Sequence, residues 1–132
     1  MANEDGQARK EILVGSAIPG LPFSAVVGYG DLVFVSGIVG RDFETREIAI
    51  DDMGAQTTQM LRNIQGFLER AGSSMNRVLK VTVFVTDMSR FAEMNQAYRQ
   101  FFPNEPPARS TLGVASLPEA EALVEAEVIA AR

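Results

Sequence analysis

The sequence predicts an α+β domain in two layers, a mixed β-sheet carrying two helices on one face. Three observations lead there. Residues 52–72 and 87–103 repeat apolar side chains at helical spacing, while the other apolar runs are short, β-rich and bounded by Gly, Pro or Asp. These runs follow one another as β-β-β-α-β-α-β-β, with no change of composition that would divide the chain and no repeat of fixed period. The length, 132 residues with 46% hydrophobic and 22% charged, suits one domain able to bury a core.

Taken in order, residues 1–9 are polar and are expected to form a mobile tail on a single domain spanning 1–132. Glu11-Ile12-Leu13-Val14 reads as a short strand. Ile18-Pro19-Gly20-Leu21-Pro22 is a turn-rich connection, because each proline lacks an N–H and biases its predecessor to extended backbone. Ser24–Tyr29 and Leu32–Gly37 flank the Gly30-Asp31 turn and predict a hairpin. Ile38-Val39 and Glu47–Ile50 bracket a polar loop through Thr45. Met53, Met60, Leu61, Ile64, Phe67, Leu68 and Ala71 then form one helical stripe, with Asp51 or Asp52 as the N-cap and Gly72 as the stop. Val78–Val85 is a strand. Asp87 or Ser89 is expected to cap a second helix with Phe91, Met94, Ala97, Tyr98 and Phe101 inward, ended by Pro103. Strands near 109–114 and 122–131 complete the order. Leu32–Ser36 and Val81–Val85 are apolar on both sides, so the helix-free face is also expected to be covered, by another copy of the chain.

Composition narrows the chemistry. The chain contains no histidine and no cysteine, which removes the usual zinc, iron and copper ligands, any disulfide and any Ser-His or Cys-His nucleophile. Proton transfer would fall to Asp, Glu, Lys or Tyr. A net charge of −5 argues against a nucleic-acid partner. There is no apolar run near transmembrane length and no basic-then-apolar leader at the start, so no membrane association is expected and a cytoplasmic location is the default.

Two features carry candidate chemistry. Pro106-Pro107-Ala108-Arg109-Ser110-Thr111 sets one arginine on a stiff approach to an apolar segment. Leu123–Ile129 places Glu125 and Glu127 inside a strand-like run. Arginine and glutamate are costly to bury singly and best tolerated with a partner or ligand. Against this stand an interface ion pair for Arg109 and a solvated strand face shared by Glu125 and Glu127. Gly28-Tyr29-Gly30 is similar to part of a phosphate loop, but it lies in a hairpin and lacks the helix that would hold a phosphate.

Pro22-Phe23-Ser24, Val33–Gly37, Val81-Thr82-Val83-Phe84-Val85-Thr86-Asp87, Phe91 through Phe102, Pro107-Ala108-Arg109-Ser110 and Val124–Ala130 occur in sequence. Across roughly residues 16–132 the chain resembles the Rid family of reactive intermediate deaminases, formerly the YjgF family. The resemblance implies a chorismate-mutase-like fold in a trimeric barrel, with sites between subunits of a homotrimer. It further implies hydrolysis of 2-imino and 2-enamino acids to 2-keto acids and ammonia, with no metal or organic cofactor.

By that resemblance Arg109 binds the substrate carboxylate and Glu125 orients or activates water. Ser36 and Asn95 match positions near the pocket, although a strand serine more often bonds backbone and a helix asparagine more often faces solvent. Phe23 stands where many deaminating members carry tyrosine, Thr111 where cysteine is frequent, and Ile38 where glutamine is common. One residue is additional between Pro118 and Glu125. Two other functions stay open: a regulatory trimer that binds small carboxylates without turnover, and an endoribonuclease, an activity also attributed to the family.

Overall fold

The structure is a computed structural model that describes residues 6–16 and 18–132. Its elements are β1 (Lys10–Val14), β2 (Val26–Tyr29), β3 (Leu32–Val39), α1 (Met53–Arg70), β4 (Val78–Val85), α2 (Phe91–Tyr98), β5 (Ala108–Gly113) and β6 (Val124–Ala131). The predicted order of strands and helices is therefore the observed one. The six strands form one sheet in the order β1-β2-β3-β6-β4-β5. Every neighbouring pair is antiparallel except β4–β5, which is parallel and reached by the α2 crossover. The expected polar tail lies largely outside the described residues, although Ala8 already takes part in a β-bridge.

Alternation along the strands sets the core. Val33 and Val35 of β3, Val81, Val83 and Val85 of β4, and Val124, Ala126 and Val128 of β6 are buried beneath the helices. They meet Met60, Leu61, Ile64 and Leu68 of α1 and Met94 and Tyr98 of α2. The opposite face carries Ile12, Tyr29, Leu32 and Phe34, all exposed in the single chain.

Polar side chains lock α1 to the loops around it. Asp52 is the N-cap, its carboxylate accepting from Ala55 N at 2.9 Å. Gln56 is fully buried and fully bonded: its Nε2 donates to Ala49 O (2.9 Å) and Glu121 O (3.1 Å), and its Oε1 accepts from Leu123 N (2.8 Å). Asn63 Nδ2 donates to Val39 O and Arg41 O. The chain after β3 passes so close to the helix that a Cβ on Gly40 would lie 2.2 Å from Gln56 O.

The loop expected through Thr45 is present: Arg41 bridges to Ile48, and the Asp42 carboxylate accepts from Glu44 N and Thr45 N, bending the intervening residues into a turn. Expectations change around α2. Asp87 caps a 3-10 turn over Met88–Arg90, and α2 begins only at Phe91. That helix ends at Tyr98 rather than at Pro103. Bonds from Gln100, Phe101 and Phe102 N–H to carbonyls three residues back tighten the chain, and Phe102, not Phe101, reaches the buried position.

Candidate functional site

The residues singled out from the sequence fall into two groups on opposite faces of the sheet. The first surrounds a bulge in β3. Val35 pairs with Val128 and Ile38 with Ala126, so β3 carries one residue more than β6 across this stretch. The extra residue shifts the alternation, leaving Ile38 buried and Gly37 on the helix-free side. Ser36 is tied down here: its Oγ donates to Ser24 O at 2.6 Å and its N–H to Ala25 O at 2.9 Å. These bonds fix the Pro22-Phe23-Ser24 turn against the bulge, with the Phe23 ring exposed beside it.

Glu125 lies over the bulge. Its carboxyl group sits where a Gly37 side chain would be, with Cδ and Oε2 both 3.0 Å from the place of a Cβ. Any larger residue at position 37 would displace it. The carboxylate is half-buried and has no hydrogen bond or ion pair among the described residues. Partial burial, then the nearby charges of Glu119 and Glu127, push its pKa above the ordinary 4.5. Glu119 is held by Arg41, whose Nε donates to its carboxylate at 2.6 Å. Glu127 shares the face of Glu125 but is exposed, beside a shallow depression lined by Phe34, Lys80, Thr82 and Ile129.

The second group lies at the β5 edge. Arg109 pairs in register with buried Val81, which turns its side chain to the helix side of the sheet. There its guanidinium carbon stands 4.6 Å from the ring centre of Tyr98 and 5.6 Å from that of Phe91. No carboxylate pairs with it among the described residues. Thr111, two residues on, shares its side of β5 and is half-buried. Asn95, also half-buried, lies between Phe91 and Tyr98 on α2, and its amide has no partner among the described residues. Ser110 points the other way and accepts from Lys80 Nζ at 3.0 Å.

One chain thus brings Ser36 and Glu125 to the β3 bulge, with Phe23 in the turn tied to it, and separately gathers Arg109, Asn95 and Thr111 at the β5–α2 edge. It does not bring the arginine to the glutamate, because Glu125 pairs with Phe84 and projects from the other face. Reasoning from sequence missed Gly37 as the floor beneath Glu125 and the two rings around Arg109. The seven-residue spacing of Phe91 and Tyr98, which stacks them along one side of α2, was the available signal. Among the described residues, no group of three or more Asp or Glu stands ready to hold a metal ion, and no helix is long and apolar enough to cross a membrane.

The architecture defines a small α+β domain with an arginine free of any carboxylate at the sheet edge, among the described residues, and a half-buried glutamate on the other face. The family profile described as endoribonuclease L-PSP matches residues 15–132. A RutC family protein of Pyrococcus horikoshii is 42% identical over 109 residues, covering 83% of this chain and 86% of its own. A protein of Dermatophagoides farinae named 2-iminobutanoate/2-iminopropanoate deaminase is 35% identical, covering 82% of this chain and 84% of its own. The crystal structure of the YjgF gene product of E. coli superposes with a TM-score of 0.82 at 35% identity, covering 91% of this chain and 94% of that one. The chain belongs to the endoribonuclease L-PSP family, also known as the YjgF or Rid family.

Proposed function

We propose that the protein hydrolyses reactive 2-imino and 2-enamino acids to 2-keto acids and ammonia, as a homotrimer whose sites form where two subunits meet. The observation that carries this reading is Arg109, stacked between two rings and free of any carboxylate among the described residues. A planar guanidinium suits bidentate capture of a substrate carboxylate. Glu125 supplies the complementary half, a desolvated carboxylate with a raised pKa and unused lone pairs. The relative in Dermatophagoides farinae that carries the deaminase name supports the same chemistry.

In this reading Arg109 clamps the carboxylate, fixing the electrophilic carbon relative to a water held by Glu125. The water oxygen bonds to the imine carbon while Glu125 takes its proton. The π pair of the C=N bond moves to nitrogen, which takes that proton back from Glu125 and becomes an amine. Glu125 then removes the hydroxyl proton of the carbinolamine and passes it to the nitrogen, the C=O bond forms as the C–N bond breaks, and ammonia leaves the keto acid. Positioning supplies much of the acceleration, because the uncatalysed reaction is already easy. The exposed apolar face of Ile12, Tyr29, Leu32 and Phe34 supports assembly with further copies of the chain.

Phe23 favours a second reading, a carboxylate-binding trimer without turnover, since it puts an exposed ring and no hydroxyl beside the β3 bulge. The net charge of −5 weighs against ribonuclease action. The test is to generate several imino acids in situ with an amino-acid oxidase, using semicarbazide to trap what is not hydrolysed. The wild-type protein should divert imine to keto acid, and Arg109→Ala should lower kcat/KM about 100-fold or more, through loss of charge-assisted bonds. Equal activity in the variant would sink the proposal.

A further inference from the structure

Tyr98 is not explained by packing alone. The residue is only 6% exposed, and its Oη is a buried oxygen with no hydrogen-bond partner among the described residues. A buried hydroxyl without a partner is a standing cost, which phenylalanine at the same place would not carry. Burial drives the phenol pKa up, and the Arg109 guanidinium pulls the other way, through its charge and through its close approach to the hydroxyl. That guanidinium lies over the Tyr98 ring at 4.6 Å but does not meet the oxygen in hydrogen-bond geometry.

The surroundings decide which partner moves. Phe102 packs on Tyr98 with ring centres 4.9 Å apart, and Tyr98 belongs to the core cluster, so its ring is fixed. Arg109 is half-buried at an edge strand and is held by two ring faces and no well-formed hydrogen bond among the described residues, so the plane of its guanidinium is weakly constrained. The guanidinium has five donors, and a bidentate carboxylate takes two of them.

We propose that Tyr98 is a positioning residue for Arg109. When a carboxylate binds, the guanidinium turns from the ring face so that one edge donates to the ligand and another donates to Tyr98 Oη. Phe91 keeps its stacking contact throughout. This deepens the carboxylate-anchor reading and rests on it. The hydroxyl is unpartnered in the empty chain because its partner is Arg109 in the liganded one, and the bond fixes which edge of the fork faces the ligand.

The experiment compares Tyr98→Phe, Tyr98→Leu and Arg109→Ala with wild type. It measures KM and kcat for imine hydrolysis, calorimetric Kd for 2-oxobutanoate, and Tm. Tyr98→Phe keeps the stacking surface and removes only the hydroxyl. It should raise KM and Kd about five-fold, the size of one hydrogen bond, with kcat within about two-fold and Tm equal or higher. Tyr98→Leu should weaken binding further by removing the cation–π face as well. If that variant does not fold, Tyr98→Phe decides alone. Unchanged KM and Kd in Tyr98→Phe, with binding lost in Arg109→Ala, overturns the role of Tyr98 and leaves the anchor standing. Unchanged binding in both overturns the anchor itself.

Discussion

Glu125 is the residue where structure and chemistry pull against each other. Its carboxylate is half-buried over Gly37 and close enough to Glu119 and Glu127 to feel both, so the folded protein holds its proton more tightly than an unfolded chain would. The sign follows from linkage. Below the ordinary 4.5 the group is protonated in both states and has no effect on stability. As pH rises from there through the raised folded value, the native state retains protons that the unfolded state releases, and stability falls. Above that window the full cost is present. Glu125→Gln should therefore raise Tm at pH 7, with the gain shrinking to nothing below about pH 4.5, while hydrolysis is lost throughout. Melting scans from pH 3.5 to 8 check this; a constant gain at all pH values would mean that packing, not charge, is responsible. Arg109 was conspicuous in the sequence because two prolines precede it and an apolar strand follows. Tyr98 was not, because a tyrosine in a helical stripe looks the same whether it fills the core or serves a neighbouring side chain. Ser36 proves to be bonded to backbone, the commoner fate of a strand serine, yet those same bonds set the bulge on which Glu125 rests.

At the level of elements, the apolar periods reported α1, β3, β4 and β6 well, because each has one face fixed by a shared core. What periodicity does not register is the extra residue in β3. A bulge is a mismatch between two strands far apart in sequence, so it becomes visible only once β3 and β6 are paired. The same holds for Gln56. In a helical stripe it reads as a polar interruption, but here it binds the loop before α1 and the segment entering β6 to one point on the helix. Because Glu125 stands two residues after Leu123, this glutamine also sets where the strand that carries Glu125 begins. Gln56→Leu would strand the Leu123 N–H and leave the Ala49 and Glu121 carbonyls short of a donor. The expected loss is about 3 kcal/mol, seen as a fall in Tm of about 10 °C. A change under about 2 °C would show that water takes over all three bonds.

For the whole molecule, the decisive fact is that Arg109 and Glu125 leave the sheet on opposite faces. If the two residues serve one site, as proposed, a single chain does not complete it. A cyclic trimer joins unlike surfaces at every interface, so the helix-side edge of one subunit can meet the bulge side of the next, three times over. The apolar residues on the helix-free face are consistent with such burial, and they explain why β3 is apolar on both sides in the sequence. Sharing of this kind makes a prediction that a site within one subunit cannot satisfy. Arg109→Ala and Glu125→Gln should each be inactive alone as homotrimers. Unfolded together in equal amounts and refolded, they should form hybrids in which some interfaces combine the intact Arg109 of one chain with the intact Glu125 of its neighbour. With random assembly each interface is intact with a chance of one half times one half, so about a quarter of wild-type activity should return. Mixing without unfolding should restore little until subunits exchange. If refolded mixtures stay inactive although native mass spectrometry shows mixed trimers, the arginine and glutamate serve the same subunit, reached around the β5 edge.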